Sequence, residues 1–208
     1  MKTEIILAQD PRGLLLALEI LKFGGLVAFP TDTVYGLAAL AYNGDAVISI
    51  YEVKDRPVEK AIPVLIGDVS DLEKVCAEVP EIAIKLAARF WPGPLTLVVP
   101  KNPQLPEAVS ARPTVGVRIP DHPVARALLR LAGPLAVTSA NLSGRQNPST
   151  AQEVFDQLGG RIALILDGGK TPGGVPSTVV DCTGPELQVL RKGSISKGEI
   201  LAMSGQKP

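Results

Sequence analysis

Two cations stand two residues apart in "YEVKDRPVEK": Lys54 and Arg56, followed at once by Pro57. Two further arginines, Arg118 and Arg191, fall near the ends of strand-like runs, "TVGVRI" and "LQVLR". Ser139 and Asn141 open a loop after a third such run, "PLAVTS". Cations, hydroxyls and amides are what a site needs to hold phosphates without a glycine-rich phosphate loop. Charge-assisted hydrogen bonds contribute about 1.5–3 kcal/mol each, so two or three convergent ones suffice to place a triphosphate. Every one of these groups also has a plainer reading. Lys54 and Arg56 at a helix end would complement the helix dipole. Ser139 and Asn141 would make local turn hydrogen bonds, and Arg118 and Arg191 surface ion pairs. Residue types alone therefore reach an α/β domain with a candidate anion-binding cleft, and no further.

Other chemistries are poorly supplied. "GGKT" at 168–171 would need a glycine five residues before Gly169 to make a P-loop, and that position is Leu164. No G-x-G-x-x-G follows a strand. His122 is the single histidine and sits in "IPDHP", a helix entry. A His–Cys zinc site or a Ser–His–Asp triad thus lacks material, and no protein-held metal is expected. Cys76 and Cys182 are far apart in sequence and read as buried free thiols rather than a disulfide framework.

The elements that must position these groups alternate along the chain. Asp10 followed by Pro11 starts a helix with Leu14, Leu18 and Leu21 on one side, ended by Gly24–Gly25. Residues 45–54 form a helix with Val47, Ile50 and Tyr51 on one face, which Pro57 ends at Asp55 or Arg56. Ser70 caps a helix to about Ala77; further helices fit "PEIAIKLAARF", 123–132, 150–158 and 196–203. Strands are read at "TEIIL", "LVAFP", "AIPVLIG", "LTLVV", "TVGVRI", "PLAVTS", "RIALIL", "STVVDC" and "LQVLR". The alternation argues α/β or α+β. Only "TGPE" separates the last two strands, which is hairpin length, so the sheet is mixed rather than purely parallel. Glycine and proline gather in "WPGP", "SANLSGRQNPS", "DGGKTPGGVPS" and "RKGS", loops that tend to follow strand ends, where ligands sit in open α/β sheets.

Composition bounds the answer. The 208 residues are 46% hydrophobic, enough for one buried core, and are read as one domain over 1–208. Lys plus Arg and Asp plus Glu are 21 each, so no whole-chain field draws in nucleic acid, although a local basic cleft stays open. No run approaches a membrane span and the N-terminus does not read as a signal peptide. A reduced, cytoplasmic setting is expected.

Several strings together resemble the YrdC-like family of threonylcarbamoyl-AMP synthases: "FPTDTVYGLA", "KDRP", "FWPGPLTLVV", "VGVRIPDHP", "TSANLSG", "DGG" followed by "STVVD", and "VLRKGS". They occur in the family's order from about residue 10 to 195. The resemblance implies a twisted mixed sheet flanked by helices around a large, positively lined cavity. It implies that L-threonine, bicarbonate and ATP, with Mg²⁺ carried by the nucleotide, give threonylcarbamoyl-AMP and pyrophosphate. The product would serve threonylcarbamoyladenosine formation beside the anticodon, with the proteins of the transfer machinery as partners and tRNA as a candidate contact. The family's K-x-R and S-x-N signatures fall on Lys54, Arg56, Ser139 and Asn141. Lys54 and Arg56 are implied to be catalytic. With Thr114, Ser139, Asn141, Asn147 and Arg191 they would touch the nucleotide; Thr31, Arg118 and Ser177 would touch threonine. Some relatives carry a histidine near the end of the strand after K-x-R, but "IPVLIGD" has none, so that contact is unassigned. "SANLSGRQNPS" or the C-terminal tail is expected to close the site. The alternatives are a YrdC-like RNA-binding module without this activity and a carbamoyl-phosphate-using transferase domain.

Overall fold

A strand places successive side chains on opposite faces, so a strand that alternates large apolar with small or polar residues can face a core and a cavity at once. The computed structural model, which describes residues 2–172 and 174–203, is built on that device. Ten strands form one sheet: β1 (Glu4–Leu7), β2 (Val27–Phe29), β3 (Gly36–Leu40), β4 (Val64–Leu65), β5 (Leu95–Pro100), β6 (Thr114–Arg118), β7 (Leu135–Ser139), β8 (Leu164–Asp167), β9 (Thr178–Asp181) and β10 (Gln188–Arg191). Their spatial order is β1-β8-β2-β3-β7-β4-β6-β5-β9-β10. Parallel pairs (β1–β8, β2–β8, β4–β6, β5–β9) mix with antiparallel ones, and β9–β10 is the expected hairpin.

The helices are α1 (Pro11–Lys22), α2 (Gly44–Lys54), α3 (Leu72–Val75), α4 (Glu81–Phe90), α5 (Pro123–Ala132), α6 (Ala151–Leu158) and α7 (Lys197–Ala202). One sheet face is covered except at the β1 edge, where Ile5 and Leu7 stay exposed. Leu37, Val64, Leu97, Val117, Ala136, Ile165 and Val180 bury there against α2, α3, α4, α6 and α7. The other face is covered only in part. Ala17 and Leu21 of α1 and Ala125, Leu128 and Leu129 of α5 pack on Val27, Phe29, Leu65, Leu135, Val137, Leu164 and Leu166. No residue of β5, β6, β9 or β10 joins that second cluster. Their side chains on this face border a cavity instead.

Local chemistry explains most boundaries, and the structure corrects several. Asp10 accepts the Arg12 N–H and Pro11 opens α1, as expected. The buried stripe of α1 is Gly13, Ala17 and Leu21 rather than the leucine side, because the small residues face the sheet and let the helix lie close. α2 ends at Lys54, as read, and Asp55 caps it in the left-handed conformation at φ 51°. Ser70 is not the cap: Asp68 caps a 3₁₀ turn (Val69–Asp71), and Asp71 then stands at the N-cap of α3. "AIPVLIG" pairs only at Val64–Leu65. β3 is a strand that the pattern did not announce. The expected closing tail falls partly on residues 204–208, outside the described residues. Cys76 and Cys182 are free and buried. Among the described residues, no helix is long and apolar enough to cross a membrane.

Beyond β10 the chain doubles back against β9. Thr178 Oγ1 accepts the Ile195 N–H at 3.1 Å and donates to its carbonyl at 2.8 Å. Gly193 lies so close that an added Cβ would sit 2.3 Å from Thr178 N and 2.5 Å from Pro176 O. These are backbone atoms and cannot swing aside. Gly193→Ala is therefore predicted to cost about 1–3 kcal/mol by overpacking, lowering Tm by roughly 2–4 °C per kcal/mol in a domain of this size. Thermal unfolding checks it; an unchanged Tm would remove the close-packing argument.

Candidate functional site

The cavity encloses about 370 Å³ over β3–β7, β9 and β10, within the range of small-molecule sites. Its floor is set by alternation. Thr96 and Val98 of β5 stand between Leu95, Leu97 and Val99, which face the core. Gly116 stands between Val115 and Val117 in the same way. A Cβ on Gly36 would meet Val137 Cγ1 at 2.7 Å, and one on Gly116 would meet Thr96 Cγ2 at 3.0 Å. Glycine at both places leaves room above the sheet.

Three guanidiniums border this space: Arg56, Arg118 and Arg191. Arg118 ends β6 and is 6% exposed. Its Nε donates to Gly93 O at 2.9 Å, Nη1 to Thr33 Oγ1 at 3.1 Å, and Nη2 to Asp32 Oδ1 at 2.5 Å. A guanidinium has five N–H donors, so two remain for a ligand. The "WPGP" loop is fixed for this purpose: Trp91 Nε1 donates to Leu95 O at 2.7 Å and Gly93 N to Ile119 O at 2.9 Å.

Arg191 reaches the cavity by a β-bulge. Val189 pairs with Val180 and packs on the core, yet Arg191 pairs with Val179, which lines the cavity. A regular strand would put residues two apart on one face; the extra residue, Leu190, re-aims the arginine. Arg191 then donates from Nε to Ser177 O and from Nη2 to Ser177 Oγ, both at 3.0 Å. Ser177 Oγ meets Thr96 Oγ1 at 2.7 Å. Arg56 donates to the carbonyls of Lys60 and Ala61 at 3.2 and 3.1 Å.

Burial lowers the proton affinity of all three arginines, and the charges of Arg118 and Arg56 add to the effect on Arg191. Arginine stays charged in proteins, so the shifts report the loss of water around each guanidinium, with like charges adding to it at Arg191. Among the described residues, Asp32 is the one carboxylate that pairs with any of the three, and no aspartate or glutamate lines the cavity wall.

The two signatures K-x-R and S-x-N are physically linked. Lys54 lies three residues after Tyr51 and four after Ile50, on the buried stripe of α2, and is 1% exposed. Its Nζ donates to the Ser139 carbonyl at 2.6 Å and to the Asn141 carbonyl. Burial, reinforced by Arg56, pushes its pKa down to about 7. Lys54 thus lies behind the wall and ties down the loop that carries Ser139. Asn141 also lies behind the wall, its Nδ2 bonded to the Leu142 and Arg145 carbonyls at 2.8 Å. Its Oδ1 is buried without a partner.

Of the expected site residues, Thr31, Arg56, Arg118, Ser139, Asn147, Ser177 and Arg191 are brought together around the cavity. Thr114 shares a sheet face with Gly116 but is not in the wall. The Thr31 hydroxyl is already used: it donates to Val34 O at 2.6 Å and accepts the N–H groups of Thr33 and Val34. Its place is in the 31–34 turn that presents Asp32 and Thr33. Those two, with Thr96, Gly36 and Gly116, were missed. Strict alternation in "LTLVV" and "TVGVR" could have found Thr96 and Gly116; Asp32 and Thr33 had no such signal. Tyr35 was missed too. Its hydroxyl donates to Gly169 O at 2.7 Å and accepts the Gly168 N–H at 3.2 Å, pinning the "DGG" turn. His122 precedes α5 and is not in the wall. Among the described residues, no group of three or more His, Cys, Asp or Glu could hold a metal ion.

The comparisons agree with this architecture. A family model named for Sua5, YciO and YrdC and described as "Telomere recombination" matches residues 19–193. A threonylcarbamoyl-AMP synthase of Bacillus subtilis is 46% identical over 206 residues, covering 98% of this chain and 59% of that protein. The Pyrococcus abyssi Sua5 structure complexed with L-threonine matches with a TM-score of 0.90 at 42% identity, over 93% of this chain and 57% of that one. Escherichia coli YciO matches with a TM-score of 0.86 at 29% identity, over 97% of this chain and all of that one. The chain thus spans about three-fifths of the length of the Bacillus and Pyrococcus relatives and the whole of YciO. With its ordered motifs, its mixed ten-stranded sheet and the family match over most of its length, the chain belongs to the Sua5/YciO/YrdC family.

Proposed function

We propose that the chain is an L-threonylcarbamoyladenylate synthase, which joins L-threonine, bicarbonate and ATP into threonylcarbamoyl-AMP and releases pyrophosphate and water. The observation that carries this reading is the convergence of Arg56, Arg118 and Arg191 on one cavity whose wall holds no carboxylate. Such a site suits a polyanion beside a smaller anion. The name of the Bacillus relative and the threonine complex of the Pyrococcus one support the choice of substrates.

In this reading the threonine amine and bicarbonate first form a carbamate and water. A carbamate oxygen attacks the α-phosphorus, and the bond to pyrophosphate breaks. An anion attacking a polyanion needs charge neutralisation more than a base. Arg56 and Arg191, bonded only to carbonyls and a hydroxyl, take the phosphates. Ser139 and Asn147 contact the nucleotide. Arg118 offers its two spare N–H groups to the threonine carboxylate, for which its planar fork is suited, with Ser177 and the Thr31 turn beside it. Lys54 acts from beneath by fixing Ser139 and Asn141 and by adding positive field, while Thr114 takes no part. Mg²⁺ enters with ATP as substrate. The wall offers hydroxyl and amide oxygens but no carboxylate, which fits an ion held by phosphates. The product would pass to the tRNA threonylcarbamoyl-transfer machinery.

Pyrophosphate release from ATP is expected to require threonine and bicarbonate together, and Arg191→Ala is expected to slow it about 10- to 150-fold, the loss of one charge-assisted bond. Release that ignores both omissions would sink the assignment. Salt-dependent tRNA binding without threonine-dependent release would favour an RNA-binding module.

Lys54 adds a proton-linked test. Free, it titrates at about 7; a bound triphosphate favours its charged form and raises that value. ATP affinity should therefore fall as pH rises above about 7, with proton uptake on binding. Calorimetry at about pH 8, where terminal phosphate is ionised, in two buffers of different ionisation enthalpy reads the uptake directly. Lys54→Met should abolish it. Equal heats in both buffers for the unmodified protein would refute a titrating Lys54.

A further inference from the structure

We propose that Asp32, by balancing Arg118 among the three cavity arginines, keeps polyphosphate off that guanidinium and reserves it for the amino acid. The proposal rests on the synthase reading above and adds a specificity-determining residue to it. Asp32 lies in the turn after β2, stapled by the Thr31 hydroxyl, and its side chain is 13% exposed. It does not line the wall, but its Oδ1 holds Arg118 Nη2. Thr33 holds Nη1 and the Gly93 carbonyl holds Nε, so the guanidinium is fixed on three sides.

The two other arginines lack any such partner. Arg56 and Arg191 bond to neutral oxygens only, and Arg191 feels the charges of both Arg118 and Arg56. The first, Arg118, is therefore a cation balanced by an anion; the second, the set of Arg56 and Arg191, is bonded to neutral oxygens among the described residues. An amino acid carries one charge of each sign and matches the first. A polyphosphate matches the second, and at the first it would meet the Asp32 carboxylate, a juxtaposition that excludes wrong partners. Without Asp32, all three guanidiniums would compete for the triphosphate, and threonine would lose its place.

The test is binding rather than turnover. L-Threonine is titrated into the full chain by calorimetry, with and without saturating inorganic pyrophosphate. In the unmodified protein the threonine Kd should change less than about threefold. In Asp32→Asn, which keeps the size and an acceptor oxygen, pyrophosphate should bind more tightly and raise the apparent threonine Kd at least about tenfold. Thr33→Val removes a neutral hydrogen bond to the same guanidinium. It should weaken threonine without making pyrophosphate a competitor, a pattern that loss of orientation alone would produce. Equal competition in the unmodified protein and Asp32→Asn overturns this proposal alone. Full competition in the unmodified protein overturns it even if Asp32→Asn fails to fold. Pyrophosphate binding with no threonine binding at all overturns both the proposal and the synthase reading.

Discussion

Strand alternation over a half-covered sheet is the constraint on which the cavity depends. In β5, β6 and β9 every second side chain is committed to the main core, and Leu97, Val117 and Val180 are almost fully buried. A slip of one residue would exchange the whole set between faces, turning these toward the cavity and Thr96, Arg118 and Val179 into the main core. The apolar pattern therefore holds the polar wall in register, although no apolar residue need touch a substrate. The second helical layer does the complementary work by stopping short. α1 and α5 seal the β1–β7 side and leave the strands beyond it uncovered.

Gathering like charges in a confined space costs free energy, and the mode of bonding shows how the fold tolerates it. Apart from the Asp32 pair, the cations of the site are bound by backbone carbonyls and hydroxyls. Such partners satisfy the donors without cancelling the field. Carboxylates in their place would make the unliganded protein more comfortable and the site useless for anions. Lys54 is the extreme case: burial, with the charge of Arg56 added, pushes its pKa down.

Much of this was legible in the residues. α5 was read at its observed limits and the β9–β10 hairpin followed from a short connector, while the period-two alternation of β5 and β6 was present in the residues but not used. β3 escaped because "GLAAL" is made of small and unbranched residues, with low strand preference and burial on both faces. Lys54 was read as a helix end, although its spacing from Ile50 and Tyr51 placed it on the buried stripe. Periodicity says where a side chain points, but not that a lysine will go there. Asp32 carries no periodic signal at all, since its partner lies 86 residues away. Its role comes from a long-range ion pair that only the folded chain creates.

The bulge in β10 has a consequence unrelated to ligands. β10 ends the strand order and so presents an open edge, the kind of surface on which another chain's strand can dock and start aggregation. Leu190, half-exposed on that strand, is the sort of residue that would invite it. But where two residues of β10 answer one of β9, the spacing of free N–H and C=O groups is broken. A regular incoming strand finds no continuous ladder to join. The distortion that delivers an arginine inward also makes the outer rim a poor template for self-association.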